Sequence, residues 1–112
     1  MVTEQNQCLK KVILFVNLLR QHGVDVSEAY LFGSVVNGMS DKESDIDVAI
    51  VSKDFQGIPF YDMQKISKWR RQVDLHLEIH PFALAEIETD PPLFFTKIRR
   101  DGLRIEQEDR FV

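Results

Sequence analysis

Between Val73 and His80 apolar and polar residues alternate without a break: Val73, Leu75, Leu77 and Ile79 fall on one side, and Asp74, His76, Glu78 and His80 on the other. A period of two is the side-chain period of an extended strand with one face on a core. The segment therefore reads as a β-strand, ended by Pro81, and it needs a sheet to join. Ala29–Phe32, short and aromatic, and Ile46–Val51, β-branched, supply two more strands. Elsewhere the spacing is helical. Cys8, Val12, Phe15, Val16, Leu18 and Leu19 recur at intervals near three and four, which predicts a helix from about Gln5 to Gln21, stopped near His22 by Gly23. Met63, Ile66 and Trp69 give a second helix over Phe60–Trp69. Phe82–Glu88 reads as a short helix, and Pro91-Pro92 opens another that runs to about Arg100 and is closed by Gly102. Leu103–Glu106 is a last short strand. Helices and strands in alternation predict an α/β (α+β) domain with a small mixed sheet flanked by helices.

The 112 residues suit one domain, 1–112, with no repeat or linker. The apolar stretch Val12–Leu19 is interrupted by Asn17, follows Lys10 and Lys11, and falls far short of the roughly 20 residues that span a bilayer. No signal peptide or membrane anchor is expected. A single cysteine, Cys8, makes neither an internal disulfide nor a Cys-rich zinc site, and a cytoplasmic location is the expectation. A net charge of −4 argues against an extended nucleic-acid surface, which needs many cations to displace counterions. The local basic groups at Lys68, Arg70 and Arg71, and at Lys97, Arg99 and Arg100, read as solvated helix ends. Apolar faces on the first helix or near Phe94-Phe95 could serve a homo- or hetero-oligomer, although core packing is the simpler reading.

Chemistry concentrates at two places. Asp45 and Asp47 stand two apart at the start of a strand, so they share a face while Ile46 and Val48 anchor them from the other. Adjacent carboxylates repel unless a cation lies between them, and Mg²⁺ favours carboxylate oxygens together with water and phosphate. Upstream, the strand ending in Phe32 delivers Gly33-Ser34, a turn whose backbone N–H groups and hydroxyl suit phosphate oxygens. Either element alone is common; their combination at this spacing is much rarer.

Phe32-Gly33-Ser34, ten residues, then Asp45-Ile46-Asp47-Val48 resembles the signature of the DNA polymerase β-like nucleotidyltransferase superfamily. The Leu-Phe-Gly-Ser start, Gly38 and the segment Ser44-Asp45-Ile46-Asp47 are most similar to its minimal nucleotidyltransferase branch, whose short proteins often pair with HEPN-domain partners. The resemblance covers residues 29–106 and rests on about twenty positions. It implies two metal ions, expected to be Mg²⁺, held by Asp45, Asp47 and a third carboxylate. It also implies a nucleoside triphosphate, most simply ATP, held at Gly33, Ser34 and Ser44. The third carboxylate is expected from the alternating strand, at Asp74 or Glu78. Asp74 is preferred, because its Gln-Val-Asp-Leu setting resembles the family's strand, and it would also help deprotonate the attacking hydroxyl. His76, Glu78 and His80 read as a solvated face in preference to a zinc site. The chain departs from the branch at Asn37, where a basic residue is common; Lys42, Lys53, Arg70 and Arg71 are the cations that could replace it.

The implied activity is transfer of a nucleoside monophosphate from the triphosphate to a hydroxyl, with a HEPN-type partner protein in a toxin–antitoxin pair as acceptor. The alternative is a binding module that neutralises such a partner by contact.

Overall fold

In the computed structural model, residues 4–38 and 44–105 are described. The order is α1 (Glu4–Gln21), β1 (Glu28–Phe32), α2 (Ser34–Asn37), β2 (Ile46–Ser52), α3 (Pro59–Val73), β3 (Leu77–Ala83), α4 (Leu84–Thr89), α5 (Leu93–Asp101) and β4 (Leu103–Arg104). The four strands form one mixed sheet in the order β3-β2-β1-β4. β2 runs parallel to β3, whereas β1 is antiparallel to both β2 and β4. The parallel pair is reached through α3, as a crossover requires.

Alternation along β2 sorts the sheet into two faces. Ile46, Val48 and Ile50 are buried under α1 and α3, where Val12, Phe15, Leu19, Ile66 and Trp69 complete the larger core. Ala49 and Val51 point the other way, into a smaller core with Tyr30, Phe82, Ile87, Phe95 and Ile98 beneath α4 and α5. Asp47 belongs by its parity to this second face, at the end where the cover of α4 and α5 runs out and the position is only half-buried. Tyr30 is buried on that face and donates to Glu28 at 2.6 Å, and Arg99 of α5 reaches the same carboxylate at 3.0 Å. This ties α5 to β1.

The alternating segment is the one element that the structure redraws. α3 continues to Val73, Asp74 follows it as the helix C-cap, and the strand begins only at Leu77. Val73 lies four residues after Trp69, so it extends the buried stripe of the helix, and Leu75 in the following turn is 67% exposed. Pro81 does not end the strand but lies inside it, opposite Ile50. β3 is an edge strand of the sheet, where a residue without an N–H is tolerated on the open side. The short helix begins at Leu84 rather than Phe82, because Phe82 and Ala83 pair with Val51 and Ser52. The last strand comprises Leu103–Arg104, and Glu106 lies outside the described residues, as does Lys42. Among the described residues no helix is long and apolar enough to cross a membrane.

Candidate active site

β1 ends at Phe32, opposite Asp47 of β2, and the chain turns at once through Gly33. Gly33 has φ 83° and ψ −148°, a conformation that is almost exclusive to glycine. Its Cα faces the Asp47 carboxylate so closely that a Cβ there would overlap Oδ2. Ser34 then opens α2; the Gly33 carbonyl accepts the N–H groups of Val36 and Asn37, both at 3.1 Å. The turn and the acid are thus in direct contact.

On the other side of Asp47 the parallel register sets Glu78 directly opposite it on β3. His80, two residues on, shares that face, and its Nε2 lies 3.4 Å from Asp47 Oδ1 and 3.7 Å from Glu78 Oε1. Asp47, Glu78 and His80 each offer a ligand atom, all within 4.8 Å of one another, and form the one such group of three found among the described residues. The His80 ring is fixed by edge contacts with Phe32 and Phe94, at centroid distances of 5.1 and 5.7 Å. Asp45 precedes β2 and is exposed; it lines a shallow depression with Arg70, His76 and Glu78 and stands outside the group of three.

Asp74 is not brought to Asp47. As the C-cap of α3 it packs toward α1, where it accepts Lys11 Nζ at 2.6 Å and the His76 backbone N–H at 2.7 Å, and its other near contact is His76 Nδ1 at 2.9 Å. Burial pushes the Asp74 carboxyl up, but the bonds from Lys11 and His76 outweigh it and hold the pKa down to about 2. Of the two acids expected from this segment, Glu78 and not Asp74 therefore faces Asp47: helix α3 runs four residues past its expected end and carries Asp74 to the α1 side of the sheet. Ser44 lines a recess of about 240 Å³ on that side, with Lys11, Ile46 and Asp74.

A cleft of about 300 Å³ opens beside the turn, lined by Phe32, Gly33, Val36 and Asn37 on one wall and by Phe94, Lys97, Ile98 and Asp101 on the other. Asp101 is paired with Arg100 at 3.0 Å, and Lys97, the cation of the cleft lining, adds its charge near the same carboxylate. Of the other cations considered, Arg70 donates to the carbonyls of Leu75 and Leu77, both at 3.2 Å. Arg71 reaches Ser67 at 3.4 Å, and Lys53 follows the far end of β2. Sequence reasoning passed over Lys97 because a basic residue near a helix end is ordinarily solvated; the signal is its place on α5, and only the fold brings that to Gly33.

The sequence matches the model of the family described as polymerase beta, nucleotidyltransferase over residues 8–111. No curated protein matches the chain. Among solved structures, a candidate nucleotidyltransferase from Sulfolobus solfataricus superposes with a TM-score of 0.68 at 22% identity, over 96% of this chain and 88% of that one. A toxin–antitoxin crystal structure with AMP-PNP is similar with a TM-score of 0.52 at 21% identity, over 90% of this chain and 77% of that one. At such identities the likeness is one of fold, and the family rests on the sequence match spanning the Gly33 turn, β2 and β3. The chain belongs to the polymerase beta nucleotidyltransferase family.

Proposed function

We propose that the protein transfers a nucleoside monophosphate from a nucleoside triphosphate to a hydroxyl acceptor, in a divalent-metal-dependent reaction for which the family resemblance implies Mg²⁺. The observation that carries this reading is the convergence of Gly33, Asp47, Glu78 and His80 from three separate segments of the chain. Asp47 and Glu78 would hold the metal, with Asp45 beside them, and the bound ion would offset the charge of the triphosphate. The donor set fits such an ion: two carboxylates stand opposite each other across a parallel pair, and the absence of a side chain at Gly33 lets the turn's backbone approach one of them directly. Gly33 and Ser34 receive phosphate oxygens, and Lys97 supplies the cation that Asn37 does not. The acceptor oxygen bonds to the α-phosphorus as the bond to the pyrophosphate oxygen breaks; Glu78, exposed at the cluster, takes the hydroxyl proton.

The proposed acceptor is a hydroxyl of a partner protein, of HEPN type in a toxin–antitoxin pair. One structural neighbour is itself a toxin–antitoxin assembly, and Ile58, Phe60, Tyr61 and Leu93 present exposed apolar surface on this chain. The competing reading is neutralisation of that partner by contact alone, and it is favoured by the exposed, uncharged Asn37 at the lip of the cleft. Incubation with α-labelled triphosphates, divalent metal and lysate from the native source, beside the double variant Asp47→Asn/Glu78→Gln, separates the two. Label that enters a protein with the wild type and not with the variant supports the enzyme. A folded wild type that transfers nothing in an active lysate, or a variant that transfers equally well, overturns it.

A further inference from the structure

His80 is the one nitrogen donor in the cluster. Its position is not a loop accident: β3 parity sets it on the face of Glu78, and the β2–β3 register sets both beside Asp47. Phe32 and Phe94 hold its ring edgewise at 61° and 67°, which limits its rotation and leaves Nε2 directed at the two carboxylates. Ligand atoms about 2.0–2.2 Å from a common ion stand roughly 3.0–3.6 Å apart. The observed separations of 3.4 and 3.7 Å from Nε2 to the two carboxylate oxygens are close to that range.

We infer that His80 is a direct metal ligand, and that it biases the site toward divalent transition-metal ions and against Mg²⁺. The inference deepens the metal-dependent reading above and rests on it. Mg²⁺ is a hard ion, served by carboxylates, water and phosphate, and gains little from an imidazole. Transition ions bind imidazole nitrogen well, and each such bond raises their affinity relative to that of Mg²⁺. A cluster of two carboxylates and one histidine, with room for phosphate at the Gly33 turn, thus selects its metal through the single ligand that is not oxygen.

Mn²⁺ is the probe, with Mg²⁺ as the comparison ion. Pulsed EPR of Mn²⁺ on the wild-type protein is expected to show nitrogen-14 coupling from a bound imidazole, lost in His80→Gln. Calorimetry with Mn²⁺ and with Mg²⁺ is expected to show the affinity ratio falling at least about tenfold in His80→Gln, while Glu78→Gln weakens both ions. Mn²⁺ bound at Glu78 without nitrogen coupling overturns the role of His80 and leaves the transferase reading standing. No binding of either ion in the presence of nucleotide overturns both.

Discussion

Gly33 lies against Asp47 with no space for a side chain between them, and its backbone adopts a conformation that other residues avoid. The Gly33 turn and the acidic strand are therefore packed directly against each other. Gly33→Ala is expected to destabilise the protein by about 2–3 kcal/mol, through backbone strain and the forced displacement of the carboxylate. Urea denaturation measures the first effect, and Mn²⁺ titration of the folded fraction the second. Unchanged stability with unchanged affinity would contradict the close contact.

Asp74 should behave as a structural acid. Its folded pKa of about 2 lies below the unfolded value near 3.9, so its contribution to stability is complete above about pH 4 and fades as pH falls toward 2. After allowance for the half-exposed Lys11 on which it depends, that contribution is about 1 kcal/mol. Denaturation of Asp74→Asn beside the wild type should show this gap at pH 6 and its near disappearance at pH 2. The same variant should bind metal normally. If it instead abolished metal binding, Asp74 and not Glu78 would be the third carboxylate.

Lys97→Ala is expected to raise the KM for nucleoside triphosphate about tenfold, through the loss of one phosphate contact in a partly solvated cleft, with little change in Mn²⁺ affinity measured without nucleotide. Lys97→Arg should recover most of the loss. Steady-state kinetics decide the matter, and an unaltered KM would remove Lys97 from the substrate.

Asp62 is buried in the first turn of α3 and accepts the N–H groups of Gln56 and Gly57 at 2.8 and 3.0 Å. Asp62→Ala leaves both donors without their charged acceptor and should cost about 2–3 kcal/mol. Thermal unfolding reads this directly. Because the clip sits on the loop between β2 and α3, metal affinity at Asp47 should stay the same.

Much of this arrangement is legible locally. The Gly33 turn, the helix ending at Gln21 and the strand starting at Ile46 each follow from short-range patterns, and the structure places them within a residue or two of the expected limits. The segment from Val73 to His80 misleads because period two and the tail of a period-3.6 stripe coincide there: Trp69 and Val73 fit a helix as well as Val73 and Leu75 fit a strand. That ambiguity moves the start of the strand by four residues, and with it which of Asp74 and Glu78 faces Asp47. Which acid faces Asp47 is a matter of inter-strand register, and register is set by the burial of Leu77 and Ile79 against the helices, which no local pattern contains. The same holds for His80 beside Phe94, and for Lys97 beside Gly33.

The residues that meet at Asp47 are far apart along the chain: the hydrogen-bonded pair Asp47 and His80 is separated by 33 positions and is joined only once α3 has crossed over the sheet. An unfolded or half-built chain holds only the local pairs Asp45 with Asp47 and Glu78 with His80, and on the proposed metal role an ion would favour the finished molecule, in which Asp47 joins Glu78 and His80. Ion binding of that kind would add to native stability with the logarithm of ion concentration, roughly 2.7 kcal/mol at a hundredfold excess over Kd. Cellular metal supply would thereby become a determinant of how long the protein survives, quite apart from any reaction it carries out.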